Sequence, residues 1–291
     1  MFSRILVATS LSETSDHVID CLEPLKKIGT KQIVLVHAMN IRDVGTLYNR
    51  LREMALPKLE AQKYTLEQMG FAVEAEVPLG IPYYEINKIV NEKNISAIVV
   101  HVTAESMLGD YFVGGVAHEV INRAEKPVLV FKAMMIDENA GRHCEVICKD
   151  FLANVLYPTD FSDNAEKAFA YLEKIVESGC EKVTLLHVQD KAKIDKHLKD
   201  RLEEFNKTDQ ARLERLKNHL TTKGAEEVSI EIKYGFPVAE ILKMEKEKTF
   251  SLIVMGSQGR GFIKEVFLGS VSHNVVRHSA IPVLLVPFSR D

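Results

Sequence analysis

Apolar residues follow two rhythms along this chain. Short unbroken runs, such as Ile5-Leu6-Val7 and Leu252-Ile253-Val254-Met255, alternate with longer stretches of helical periodicity. In the second half the runs predict strands at about 153–158, 182–188, 228–233, 251–256 and 282–286. The stretches between them predict helices near 163–178, 196–223, 237–248 and 270–279. Val-, Ile- and Leu-rich runs between helices are the pattern of parallel strands covered on both faces. Five such strands with helical crossovers make a small doubly wound α/β domain. Gly70 and Gly224 stand where long helices should stop, and Pro82 and Pro237 fit the first turn of a helix.

The pattern occurs twice. Ile5-Leu6-Val7-Ala8-Thr9-Ser10-Leu11-Ser12 matches Val155-Leu156-Tyr157-Pro158-Thr159-Asp160-Phe161-Ser162 at an offset of 150, and Val34-Leu35-Val36-His37-Ala38 matches Thr184-Leu185-Leu186-His187-Val188 at the same offset. Gly80-Ile81-Pro82 and Pro127-Val128-Leu129-Val130 match Gly235-Phe236-Pro237 and Pro282-Val283-Leu284-Leu285 at an offset of 155. The five extra residues enter between 188 and 235, in a charged helical region. So long a period means a duplicated domain, not a solenoid. The expected domains are 1–135 and 151–291, joined by a segment at about 133–153.

One loop carries candidate chemistry. Residues 254–272 read Val-Met-Gly-Ser-Gln-Gly-Arg-Gly-Phe-Ile-Lys-Glu-Val-Phe-Leu-Gly-Ser-Val-Ser, with the spacing G-x2-G-x9-G-S from Gly256 through Gly259 to Gly269 and Ser270. A strand, a glycine-rich loop and a helix N-terminus together form a phosphate-binding arrangement, because the first helical N–H groups are unpaired and the helix dipole is positive there. Glycines let the backbone approach a polyphosphate. In a sheet of order 3-2-1-4-5 the ligand crevice lies beyond the first and fourth strands. The first strand ends in Pro158-Thr159-Asp160 and the fourth in Met255-Gly256, which sets a carboxylate and the loop on either side of one cleft. Ser162 is the better-placed N-cap for the helix that follows, which leaves Asp160 for a ligand. Arg260 and Lys264, inside the loop, suit either phosphate or solvent. His37 and His187 recur at strand ends and read as buried, hydrogen-bonded spacers.

Composition narrows the field. A net charge of −4 and a pI of about 6.2 give no electrostatic case for nucleic acid or anionic membrane. The 46% hydrophobic and 27% charged content is that of a soluble globular protein. No apolar run approaches the ~18 residues that span a bilayer. The start of the chain leads straight into a strand and lacks a signal-peptide pattern, so the expected location is the cytoplasm. Four cysteines make no disulfide framework, and Cys21 and Cys180 read as small apolar fillers. His143-Cys144 and Cys148 lack a second ligand pair at zinc-site spacing. The charged Lys193–Lys223 stretch reads as an amphipathic helix with a salt-bridged outer face.

The motifs in combination resemble the universal stress protein family over essentially the whole chain, as two tandem domains. They are Pro-Thr-Asp-Phe-Ser after the first strand, Leu-Leu-His-Val in the second, Gly-Phe-Pro before the third helix, G-x2-G-x9-G-S after the fourth strand and Pro-Val-Leu-Leu-Val as the fifth. The resemblance implies the 3-2-1-4-5 parallel sheet, the fold of adenine nucleotide alpha hydrolase-like domains. It implies pairing of the two domains through their fifth strands as an intrachain pseudo-dimer, with further homodimerisation open. It also implies an adenine nucleotide, ATP or AMP, in domains with the complete glycine motif. Pro158, Thr159 and Asp160 would face the ribose or base, and Val188 would line the adenine pocket. Met255, Gly256, Gln258 and Gly259 would border the ribose and phosphates, while Gly269, Ser270, Val271 and Ser272 would hold the phosphates. Mg²⁺ is compatible with such a site through the phosphates. The first half departs from the motif: Ser10, His101, Ala104 and Gly115 stand for Asp160, Gly256, Gly259 and Ser270, Glu105 stands for Arg260, and only Gly114 keeps its place opposite Gly269. It is expected to bind nucleotide weakly or not at all. The implied role is regulatory, in stress response, with a protein partner that the residues do not identify. A slow ATPase, an adenylyl- or phosphoryl-transfer enzyme and a nucleotide-independent scaffold remain alternatives. No Gly-x4-Gly-Lys-[Ser/Thr] loop occurs, and no nucleophile–base pair is evident beside the glycine loop.

Overall fold

The computed structural model describes residues 2–44, 47–104, 111–112, 115–138, 141–146, 150–197, 201–259 and 268–288. The chain divides into two compact units, residues 1–149 and 150–291.

The first unit runs β1 (Arg4–Ala8), α1 (Glu13–Asp20), a 3-10 turn (Glu23–Lys26), β2 (Gln32–Val36), β3 (Met39–Asn40), α2 (Ile41–Val44), α3 (Tyr48–Gln68), β4 (Ala72–Glu76), β5 (Leu79–Gly80), α4 (Pro82–Glu92), β6 (Ala97–Ala104), β7 (Tyr111–Phe112), α5 (Gly115–Arg123), β8 (Val128–Glu138) and β9 (Gly141–Val146). Its parallel strands are ordered β4-β2-β1-β6-β8. β7 and β9 add antiparallel to β6 and β8, and β3 pairs with β5 in a ladder of its own. Cys21, which follows α1, is disulfide-bonded, which corrects its reading as a simple filler.

The second unit runs β10 (Asn154–Pro158), α6 (Asp163–Glu177), β11 (Lys182–Asp190), α7 (Lys191–His197), α8 (Leu202–Thr222), β12 (Glu227–Gly235), α9 (Pro237–Glu247), β13 (Leu252–Gly256), α10 (Ser270–His278) and β14 (Val283–Val286). The strand order is β12-β11-β10-β13-β14, all parallel, which is 3-2-1-4-5 in chain order. The central strands are buried on both faces: every residue of β13 is buried, and so are the last four of β10. That is why they read as continuous apolar runs. The helices bury one stripe each. In α6 it comprises Ala165, Ala168, Phe169, Leu172, Ile175 and Val176. Gly179 then ends the element at φ +102°, and Gly70 and Gly224 end α3 and α8 at φ +90° and +112°, a conformation that costs glycine nothing.

The helix expected near 196–223 is α8, and a further helix, α7, precedes it. α7 starts directly after β11, where the Asp190 carboxylate accepts from the Ala192 amide at 3.0 Å. An aspartate at a strand end offers the same local cap that starts a helix elsewhere. Among the described residues no helix is long and apolar enough to cross a membrane.

Candidate functional site

β10 and β13 are neighbours at the centre of the second unit's sheet, with Val155 opposite Leu252 and Leu156 opposite Ile253. The strands run parallel, so the two loops leaving them open at the same sheet edge. The β10–α6 loop turns sharply at Phe161, whose φ is +57°. Three hydrogen bonds hold this uncommon backbone for a non-glycine residue. The Phe161 amide donates to Thr159 Oγ1 at 3.0 Å, and the Ser162 amide and hydroxyl donate to Asp160 Oδ1 at 3.1 and 2.6 Å. Ser162 Oγ in turn accepts from the Ala165 amide at 3.3 Å and caps α6. Asp160 is therefore not simply released by Ser162. One of its oxygens is held by Ser162, and the other points across the cleft.

On the far side, Gly259 Cα approaches so closely that a Cβ there would lie 2.6 Å from Asp160 Oδ2. The carboxylate and the glycine loop do meet across the crevice. The Gly269 amide donates to Ser257 O at 2.7 Å, which draws the start of α10 back onto the loop. A Cβ on Gly269 would stand 3.3 Å from Ser257 O and 3.4 Å from Gln258 Cα. Gly269 has φ −68°, so close packing, not a left-handed backbone, is the demand here. Among the described residues α10 has no side-chain cap at its N-terminus, and its first amides keep the partial positive charge of an uncapped helix start.

Behind the loop lies Asn164, which motif reading did not single out. Its Nδ2 donates to Gln258 O at 3.2 Å, and a Cβ at Gly256 would fall 2.9 Å from that nitrogen and 3.0 Å from the Asn164 carbonyl oxygen. Asn164 Oδ1 and Ser257 Oγ are buried polar atoms with no hydrogen-bond partner among the described residues. Unpaired buried polar groups are uncommon in native proteins.

The remaining expected residues differ in exposure. Ser270 is exposed at the first turn of α10, and Val271 is half-buried beside it. Gln258 is half-buried and Gly259 exposed in the loop. Pro158, Thr159 and Met255 are buried, and Val188 is half-buried near the end of β11. Ser272 is buried and donates its hydroxyl to Gly256 O at 2.9 Å. Its proton is committed to the loop, which leaves its amide for a ligand. Arg260, Lys264, Glu105, Gly114 and Cys148 lie outside the described residues.

His187 is buried, as expected of a hydrogen-bonded spacer, but its partners were not foreseen. Nδ1 lies 2.8 Å from Thr159 O and Nε2 lies 3.4 Å from Asp209 Oδ2 on α8. Gln189 donates to the same carboxylate oxygen at 3.0 Å. The Phe161 ring stacks on His187 with centroids 4.6 Å apart, and the Arg212 guanidinium lies 5.1 Å from the Phe161 ring centre.

The first unit makes the same turn with different side chains. Leu11 also has φ +57°, its amide donates to Thr9 Oγ1 at 3.0 Å, and His37 Nδ1 lies 3.0 Å from Thr9 O. Ser10 takes the place of Asp160 and joins a hydroxyl cluster, 2.8 Å from Ser12 Oγ and 2.7 Å from Ser15 Oγ. His101 stands at the position of Gly256, with Nε2 3.4 Å from the hydroxyl of Thr14, the counterpart of Asn164. Burial holds its imidazole below the usual histidine range.

Comparison with known proteins agrees with this geometry. A sequence model described as the Universal stress protein family matches residues 1–132 and 152–287. A universal stress protein, MJ0577, from Methanocaldococcus jannaschii is 36% identical over 150 residues, which cover 45% of this chain and 93% of that protein. Universal stress protein YxiE from Bacillus subtilis is 34% identical over 144 residues, covering 45% and 97%. The crystal structure of a universal stress protein from Archaeoglobus fulgidus superposes with a TM-score of 0.78 at 26% identity and covers 98% of both chains.

Proposed function

The chain belongs to the universal stress protein family, and from that premise and the crevice geometry we propose that its second unit binds an adenine nucleotide, ATP or AMP, in a regulatory role in stress response. The observation that carries this reading is the meeting of Gly259 with Asp160, so close that a Cβ on Gly259 would lie 2.6 Å from Asp160 Oδ2. A turn needs no such closeness, whereas a cradle for sugar and phosphate does. The uncapped start of α10 supplies amides for the phosphates, and Ser270 adds an exposed hydroxyl there. Asp160 Oδ2 faces the loop and would accept a sugar or base hydrogen bond. Mg²⁺ enters this reading only as a companion of the phosphates. Binding is favoured over turnover because the one carboxylate at the cleft among the described residues is engaged by Ser162 through Oδ1, and a transfer reaction needs a group placed to activate the nucleophile. The test is twofold. Mass spectrometry of small molecules released from the denatured protein should find an adenine nucleotide, and calorimetric titration should show saturable ATP binding without product formation. A protein that neither carries nor binds one overturns the proposal, and steady release of ADP or AMP would make it an enzyme.

A further inference from the structure

The two units supply an internal control for the surroundings of His187. Both form the strand-end turn with a residue at φ +57°, both cap it with a threonine hydroxyl, and both set a histidine Nδ1 on the threonine carbonyl. The first unit also braces its turn from α3, where buried Gln62 accepts from the Thr9 hydroxyl at 2.8 Å and donates to Asp16 Oδ1 at 2.6 Å. The second unit uses a buried carboxylate on the matching helix instead. α3 and α8 are each 21 residues long, and their buried positions coincide at an offset of 154: Leu59 with Leu213, Leu66 with Leu220, and Ala55 with Asp209. Asp209 is only 8% exposed, and an ionisable group is expensive to bury without a partner. Gln189, which donates to Asp209, replaces Met39 of the first unit. Among the described residues, a carboxylate facing the turn's histidine occurs only in the unit whose turn carries Asp160 in place of Ser10.

Its chemistry is specific. The Thr159 carbonyl accepts, so Nδ1 of His187 carries a proton. Nε2 then faces the Asp209 carboxylate, and a bare nitrogen there would set one lone pair against another. A second proton, on Nε2, would make the ring an imidazolium facing that carboxylate across 3.4 Å. That ring grips both neighbours of Asp160, Thr159 through its carbonyl and Phe161 through the stack at 4.6 Å.

We propose that Asp209, acting through His187, is a positioning residue that fixes the Asp160 turn for its ligand. The ligand part rests on the nucleotide reading above; the fixing of the turn does not. Two substitutions test it in the full-length protein. Asp209→Ala installs the residue the first unit carries at this place, and Asp209→Asn keeps the volume while removing the charge. Histidine-selective ¹⁵N spectra of the wild type should show His187 protonated on both ring nitrogens at neutral pH, and both variants should show it neutral. Hydrogen exchange at the Ser162 amide, which is bonded to Asp160, should be faster in both variants, with the amides of β13 and β14 unchanged. ATP affinity should fall about tenfold in each. Wild-type exchange at Ser162, or wild-type ATP affinity, in both variants overturns the positioning role. Should the wild type itself bind no ATP, the nucleotide reading falls, and the Ser162 amide alone decides this one.

Discussion

Among the described residues, a Cβ added at Gly259 would meet only the side chain of Asp160, whereas one at Gly256 would meet the backbone of Asn164 at 3.0 Å. The two substitutions therefore separate binding from folding. Gly259→Ala pushes a short side chain that Ser162 already holds by its other oxygen, and Gly259 itself is exposed. The expected outcome is at least about a tenfold loss of ATP affinity with a melting temperature close to wild type. Gly256→Ala instead forces apart β13 and the first turn of α6, and overpacking of that kind costs about 1–3 kcal/mol. Asp160→Ala removes one charge-assisted hydrogen bond to the nucleotide, about 1.5–3 kcal/mol of binding. Titration calorimetry and thermal melts on the three variants check this, and unchanged affinity in Gly259→Ala and Asp160→Ala together would move the ligand elsewhere. The glycine spacing was visible in the sequence, but its cause was not. None of Gly256, Gly259 and Gly269 has a positive φ, so each is required by what comes close to it. A neighbour 92 or more positions away, such as Asn164 behind Gly256, leaves no mark in local spacing.

At the scale of elements, α6 ties the site to the rest of the unit. Ser162 caps its first turn and also holds Asp160, so Ser162→Ala should lower stability by about 1 kcal/mol and weaken nucleotide binding as well. Denaturant unfolding and ATP titration of that variant check both parts. At the other end of α6, Glu177 accepts from Lys174 and from Lys223, which follows α8. These two ammonium groups hold its carboxyl down at about 2, from an ordinary 4.5. A depressed carboxyl contributes stability above its unfolded value and loses it as pH falls through the folded one. The α6–α8 tie should therefore weaken between about 4.5 and about 2. Glu177→Gln should flatten the dependence of melting temperature on pH in that window, and an identical acid slope would show that the tie contributes nothing. Solvent and salt screen so exposed a network, so the effect is small. The strands and most helices were legible because burial on both faces writes itself as apolar runs. The start of α7 directly after β11 was not, because a charged amphipathic stretch does not mark where its helical periodicity begins. The Asp209–His187 pair was hidden for another reason: an aspartate in a charged helix looks like one more solvent residue until the repeat is aligned and Ala55 falls opposite it.

Over the whole molecule, one fold is made twice with two different crevices. Any site that depended on backbone alone would be present in both units, since both carry the same strand order and the same turn at φ +57°. What differs is the set of side chains at the strand ends. The second unit offers Asp160, Gly256 and Gly259; the first offers Ser10, His101 and Ala104. Ser10 spends its hydroxyl on Ser12 and Ser15. His101 sets an imidazole where Gly256 leaves room for the loop, and its ring reaches Thr14 as the loop backbone reaches Asn164. A nucleotide entering the first crevice would meet Ser10 in place of Asp160 and would have to displace the half-buried His101 ring. Calorimetric titration with ATP should therefore give a stoichiometry of about one per chain, with phosphate seated at a single helix start. Asp160→Ser combined with Gly259→Ala, which copies Ser10 and Ala104 into the second unit, should bring that stoichiometry to zero while both units stay folded. Two equivalent sites in the wild type, or undiminished binding after the double exchange, would mean that the shared backbone and not the strand-end side chains makes the site.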